Sequence, residues 1–217
     1  MVQAERMIEE RAPVEILNPD GAHPILFVCE HASHYIPASF GNLGLSGAPL
    51  TSHIAWDPGA FETAKRLSSA FDAPLFHGTV SRLVYDCNRP PEAPDAMPEE
   101  SGAIDIPKNR NLTAIERQER IDAFYRPFEK MLSDLLDRKG REAILVTIHS
   151  FTRKFLGQTR SVEVGILHDD DARLADALLN IAEGYDIRRN EPYGPEDGVT
   201  HTLKRHALPR NLLNVMI

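Results

Sequence analysis

Three clusters of polar, ligand-capable side chains each follow an apolar run. Glu30-His31-Ala32-Ser33-His34 follows Ile25–Cys29, Asp86-Cys87-Asn88-Arg89 follows Leu83-Val84-Tyr85, and His149-Ser150 closes the run over 143–148. Neutral imidazoles with a carboxylate are the donor set of hydrolytic zinc sites, which keep one position open for water. An arginine fork meets a substrate carboxylate in bidentate geometry. The chemistry indicated is therefore metal-assisted hydrolysis of a small anionic substrate. Spacing alone only suggests this, because the chain has no His-Glu-x-x-His and no paired Cys-x-x-Cys.

Such a site needs strands to deliver it. Ile25–Cys29, with Pro24 before it, has the length and the β-branched and aromatic content of a buried strand. The run over 143–148 is apolar almost throughout, as in strands buried on both faces, and 73–84 reads as one or two strands broken near His77-Gly78. In open α/β sheets ligands bind beyond the carboxyl ends of strands, which is where the three clusters fall. Asp57-Pro58, followed by Ala60, Phe61, Ala64, Leu67 and Phe71 at helical spacing, predicts a helix with Asp57 as its cap. Thr113-Ala114-Ile115-Glu116 is a capping box opening the longest helix, which Pro127 should kink and Gly140 should end. Further strands are expected over 161–167, from 186 and over 212–217, with an amphipathic helix over 171–182. Residues 90–111 hold five prolines and little to pack, which reads equally as a binding loop or lid and as a disordered excursion. Strands alternating with helices predict an α/β fold with a mixed, mainly parallel sheet and helices on both faces. One domain is expected over 14–217, behind a charged extension over 1–13.

Composition narrows the function. The 217 residues, 42 % hydrophobic, suffice for one sizeable core. A net charge of −8, from 24 basic and 32 acidic residues, argues against a nucleic-acid backbone as partner but leaves room for a local arginine pocket. Two cysteines, Cys29 and Cys87, are too few for a disulfide scaffold and suit a reducing compartment. The first residues lack the apolar core of a signal peptide, and no run approaches the roughly 20 apolar residues that span a bilayer. A soluble, cytoplasmic protein without a membrane partner is expected; the sequence gives no oligomeric state.

Taken in order, Glu30-His31-Ala32-Ser33 with Pro37, the segment Ser81-Arg82-Leu83-Val84-Tyr85-Asp86-Cys87-Asn88-Arg89-Pro90, Ile148-His149-Ser150-Phe151, and Asn190-Glu191-Pro192-Tyr193 with its 198–206 tail resemble the N-formylglutamate amidohydrolase family. The resemblance covers about residues 14–217, and its most specific part is Arg-x-x-x-Asp-x-Asn-Arg-Pro. Through distant kinship with zinc carboxypeptidases and aspartoacylases it implies a three-layer α/β/α sandwich of phosphorylase/hydrolase type and a divalent metal, with zinc preferred. It implies His31 and His149 as metal ligands, Asn88 and Arg89 as the pair gripping a substrate carboxylate, and Arg82 as a second cation. Asp57, Glu30 and His34 compete to complete the site. Asp57 is chosen because Trp56-Asp57-Pro58-Gly59 lies where the family carries another polar motif, although a capping role would account for it equally. In the carboxypeptidase relatives a glutamate stands three positions after the first histidine; here that position is His34. Their general-base glutamate belongs just after a final strand like 211–217, so two expectations stand, a glutamate beyond Ile217 or a member that lacks it and is inactive, and no catalytic residue is assigned within the chain.

Read without the resemblance, several of these residues have plainer roles. Arg82 can pair with Asp86, Arg89 can form a surface salt bridge, and Glu163 can be buried against Arg153 or Arg160. His201, Lys204, Arg205 and His206 can form a solvated basic turn. The expected function is a metal-dependent amidohydrolase acting on a small N-acyl amino acid such as N-formylglutamate. The alternatives are a binder of acyl amino acids without turnover, and a metal-dependent hydrolase of peptides or other amides.

Overall fold

The computed structural model describes residues 11–155 and 157–217, so most of the expected 1–13 extension lies outside the described residues. In chain order the strands are β1 (Val14–Leu17), β2 (Ile25–Cys29), β3 (Leu75–Gly78), the hairpin β4 and β5 (Glu100–Ser101, Ile104–Asp105), β6 (Ile144–Thr147), the hairpin β7 and β8 (Lys154–Phe155, Gln158–Thr159), β9 (Val164–Ile166), β10 (Ile187–Arg189) and β11 (Leu213–Met216). The α-helices are α1 (Ala60–Phe71), α2 (Ala114–Arg120), α3 (Arg126–Lys139) and α4 (Arg173–Ile181). The central sheet runs β1-β3-β2-β6-β11, with β1 antiparallel at the edge and the other four strands parallel. A parallel β9–β10 pair adjoins it through the bridge from Leu167 to Met216.

Side chains alternate across a strand, and here both faces are apolar. Leu26, Val28, Phe76, Leu145 and Met216 face a layer containing Phe128, Leu132 and Leu136 of α3. Phe27, Cys29, Leu75, Val146 and Val215 face Ala60 and Ala64 of α1 and Ala175 of α4. Covering on both sides explains why these strands read as unbroken apolar runs, and it gives the three-layer α/β/α sandwich.

The expected kink at Pro127 takes a specific form. Proline has no N–H for the carbonyl one turn back and its ring crowds that carbonyl. The chain widens between α2 and α3 into a π-helical turn over Ile121–Tyr125, where the Arg126 N–H reaches back to the Ile121 carbonyl. The capping box forms as read, with the Thr113 hydroxyl and the Glu116 carboxylate each accepting the other residue's backbone N–H.

Residues 90–111 are a packed, ordered segment and not a disordered excursion. Ala96, Met97 and Ile106 are buried in a third cluster with Leu83, Val84 and Phe124. The Asn109 amide donates to the carbonyls of Leu83 and Pro98, both at 2.8 Å, and its oxygen accepts from Arg120 at 2.8 Å. The few apolar residues among the prolines thus anchor the segment. None of the described helices is long and apolar enough to cross a membrane.

Gly78 ends β3 where only a hydrogen fits, because a Cβ there would overlap the backbone oxygen of Glu30. Gly78→Ala is expected to cost about 1–3 kcal/mol of stability, the usual penalty of overpacking. It should also loosen the start of the His31 loop. A urea midpoint equal to that of the parent chain would remove this account.

Candidate metal centre

Strand register brings the two histidines together. Val28 of β2 pairs with Thr147 of β6, and the Ile148 N–H donates to the Val28 carbonyl at 2.8 Å. Glu30-His31 and His149 therefore leave neighbouring parallel strands side by side, with the imidazole centroids 5.0 Å apart. Asp57 joins them because its N–H donates to the His31 carbonyl at 3.0 Å. Gly59, at φ +87°, then turns the chain into α1. No side chain caps that helix, which corrects the reading of Asp57 as a cap: its carboxylate faces the histidines instead.

Asp57 Oδ2 lies 3.3 Å from His31 Nδ1 and 2.9 Å from His149 Nδ1. The ligand atoms of the three residues all lie within 4.8 Å of one another. Donors held about 2.0–2.1 Å from a tetrahedral zinc ion stand roughly 3.3 Å apart, so both carboxylate–imidazole edges suit an ion with little adjustment. The far nitrogen of each ring meets another carboxylate. His31 Nε2 is 2.7 Å from Asp86 Oδ1 and His149 Nε2 is 3.1 Å from Glu30 Oε2, the second contact bent away from hydrogen-bond geometry. At His31 the Asp86 carboxylate keeps the proton on Nε2 and leaves the Nδ1 lone pair to face Asp57, the arrangement that orients histidine ligands in metal sites, while Glu30 sets a negative charge beside His149 Nε2.

Charge gives an independent test. Glu30, Asp57 and Asp86 are buried, and Arg82 is the cation among them, 3.3 Å from Asp57 and 2.7 Å from Asp86. Three carboxylates against one guanidinium leave a deficit of two positive charges, which a divalent cation would fill. Without one the site draws in a proton. Burial alone would lower the His149 pKa, but the Glu30 carboxylate, together with Asp57, lifts it to about 10. Burial likewise opposes charge on the two aspartates, yet both lie well below the carboxylate range. His31 and His149 hold Asp57 ionised, while Arg82 and His31 do so for Asp86. Donor set, ring orientation and charge deficit all fit a divalent metal.

A cavity of about 970 Å³ opens over His31, Asp57 and His149, and Arg82, Asn88 and Arg89 also line it. These last three are already engaged within the chain. Arg82 makes the ion pair with Asp86 and adds Asp57, with 28 % of its side chain left exposed. The Asn88 amide donates to the Val199 carbonyl and its oxygen accepts from the Thr202 N–H and hydroxyl. Arg89 pairs with Asp95 at 2.7 Å and donates to the carbonyls of Asn88, Gly198 and Asp197. Asn88 and Arg89 thus fasten residues 197–202 against the site.

Other expectations are corrected. His34 is exposed and lies against Trp56, away from the metal group. Glu163 is exposed and accepts from the Asp186 N–H at 3.0 Å, so it is not buried against Arg153 or Arg160. The Arg160 guanidinium sits over the rings of Phe155, Tyr193 and Phe151 at 4.6, 4.8 and 5.6 Å. The supposed basic turn contains a π-helical turn, Leu203–Ala207, with Leu203 and His206 buried. Burial pushes His206 down to about 3. His201 meets the Tyr125 hydroxyl, Lys204 pairs with Asp169 and Arg205 with Glu129. The Asp57 contact from the Ser150 N–H, at 3.3 Å, and the role of Asp86 on His31 were hidden in sequence, although both residues lie inside the motifs that carry the family resemblance.

The fold and the site together define an α/β protein with a candidate divalent-metal centre at the carboxyl ends of its parallel strands. Its membership is specific: the chain belongs to the N-formylglutamate amidohydrolase family, a family of hydrolases whose model matches residues 23–217. The crystal structure of gene product Atu2144 from Agrobacterium tumefaciens is similar at 52 % identity and a TM-score of 0.93, covering 96 % of this chain and 84 % of that one. That of N-formylglutamate amidohydrolase from Ralstonia eutropha JMP134 matches at 18 % identity and a TM-score of 0.67, covering 95 % and 84 %, a likeness of fold alone. No curated protein matches the chain significantly.

Proposed function

We propose that the chain is a metal-dependent amidohydrolase that cleaves the amide of a small N-acyl amino acid, the class to which N-formylglutamate belongs. The observation that carries this reading is the convergence of His31 Nδ1, Asp57 Oδ2 and His149 Nδ1, each histidine backed by a carboxylate at its other nitrogen. These three side chains would hold the ion, and two imidazoles with one carboxylate favour zinc. When bound, the ion supplies Lewis-acid polarisation of the scissile carbonyl and acidifies a water.

The chain's own groups prepare the site. Asp86 fixes the orientation of His31 by its hydrogen bond, and Glu30 places a carboxylate beside His149 Nε2. Arg82 holds Asp57 and Asp86 in place from one side and turns a partly exposed edge toward the cavity, where it can meet the anionic end of a substrate. Asn88 and Arg89 hold the 197–202 wall of the cavity in place. Arg153, exposed on the cavity lining, supplies local positive charge there in a protein of net charge −8.

Chelator-stripped protein should release no formate from N-formyl amino acids. One equivalent of zinc should restore turnover with a one-to-one metal content. Turnover that persists after the metal is removed would overturn the reading.

A further inference from the structure

We propose that the side-chain carboxylate of a dicarboxylic substrate is held by Arg153 and Arg160, on the segment that follows His149, and not by Asn88 and Arg89. The proposal rests on the amidohydrolase reading and concerns the cavity wall beyond the metal group. Arg89 has little left to offer a ligand, because its Nε and both terminal nitrogens already donate to Asp95 and to the carbonyls of Asn88, Gly198 and Asp197. Asn88 likewise gives its amide to Val199 and its oxygen to Thr202. The grip on a distant carboxylate must come from other cations.

Arg153 is exposed on the cavity lining, and Arg160 is half-buried against Phe151, Phe155 and Tyr193, whose rings also line the cavity. Neither arginine has an acidic partner among the described residues. Arg160 donates to the Tyr193 hydroxyl at 2.9 Å and to the Thr152 carbonyl at 3.3 Å. A guanidinium carries five N–H donors, so three remain. They lie in its plane, and rings packed against its faces leave them free while fixing the fork before a ligand arrives, which lowers the ordering cost of binding.

The cavity's cations divide by their distance from the reacting bond. Arg82 lies 3.3 Å from Asp57, so its exposed edge serves the carboxylate beside the scissile amide. Arg153 follows His149 by four residues, a length of chain that reaches at most about 14 Å, and Phe151 and Thr152 between them line the same cavity. A side-chain carboxylate stands several bonds from the α-carbon, so two separated cationic positions suit a dicarboxylate. The acidic residues on this lining do not fill the second position: Glu163 accepts from the Asp186 N–H at 3.0 Å and Asp197 from the Gly194 N–H at 2.9 Å. A fixed guanidinium without a counter-ion at a cavity wall is a site for a carboxylate, which it meets in bidentate geometry.

The test follows formate release by the zinc-loaded protein from N-formyl-L-glutamate and from N-formyl-L-glutamine, which has the same length without the charge. The parent is expected to favour the glutamate in kcat/KM by about 10–100-fold, the range of a hydrogen bond to a charged group. In Arg153→Gln and in Arg160→Gln that preference should fall by about tenfold through a higher KM for the glutamate, while the glutamine value stays within about threefold of the parent's. A merely structural role would lower both substrates together. Arg153 is exposed, so its variant decides the matter even where Arg160→Gln fails to fold. A preference absent in the parent, or unchanged in Arg153→Gln, overturns the inference and leaves the amidohydrolase reading standing. No turnover of either substrate overturns both.

Discussion

Asp57→Asn is expected to leave the fold intact, abolish stoichiometric zinc binding and lower kcat/KM by roughly 10²–10⁴-fold, the equivalent of several kcal/mol of lost transition-state stabilisation. Asn keeps the shape of Asp, so the α1 entry and the bond from the Asp57 N–H to the His31 carbonyl survive. The negative charge at the one atom that both Nδ1 positions share is lost. Its loss also releases Arg82, which is left with Asp86 alone. Metal content by elemental analysis, thermal melting and formate release separate the outcomes. A variant that melts like the parent, holds a full equivalent of zinc and keeps its rate would exclude Asp57 as a ligand.

That residue also shows where sequence reasoning stops. Asp57-Pro58 before an apolar period has the chemistry of a helix start, and local physics alone favours a cap. The deciding fact is long-range: β2 and β6 are adjacent, so His31 and His149 converge on the one carboxylate that the His31 carbonyl holds by its N–H. The strands β2, β6 and β11 were legible, because burial on both faces leaves a run of apolar residues with no polar alternation. The apolar run before Asp86 misled: β3 ends at Gly78, and residues 79–89 form turns that carry Asp86 to His31, not the end of a strand. So was the capping box, a purely local device. Pro127 announced a disturbance but not its form, since a π-helical turn depends on what α2 and α3 must each pack against. Residues 90–111 misled because prolines dominate the composition, while Met97, Ile106 and Asn109 carry the packing. Asn88 and Arg89 line the cavity, but the carbonyls they hold on 197–199 lie more than a hundred residues away, out of reach of any local pattern.

The metal-free protein is expected to be most stable in mild acid and to lose stability steadily toward alkaline pH. His149 binds its proton more tightly in the folded state, with a pKa raised from 6.5 to about 10, because Glu30 and Asp57 overcome the opposing effect of burial. Its contribution is therefore fully present below 6.5 and is lost as pH rises through about 10. Glu30, Asp57 and Asp86 are shifted down, so their contribution is in place above the ordinary carboxylate range and disappears as pH falls through their folded values. Each pKa unit is worth about 1.4 kcal/mol, and a chain of this size moves about 2–4 °C per kcal/mol. After allowance for relaxation of the site, Tm should fall by roughly 5–15 °C across the alkaline limb. Zinc bound at this group would replace that proton with a fixed dication. It should flatten the alkaline limb, bind more tightly as pH rises, and release a proton into weakly buffered solution near neutrality. His149→Asn, compared with the parent under chelator, isolates this group from the lysines and tyrosines that also titrate at high pH. Parallel alkaline melting curves for the two proteins would show that the buried charge deficit around His149 does not exist.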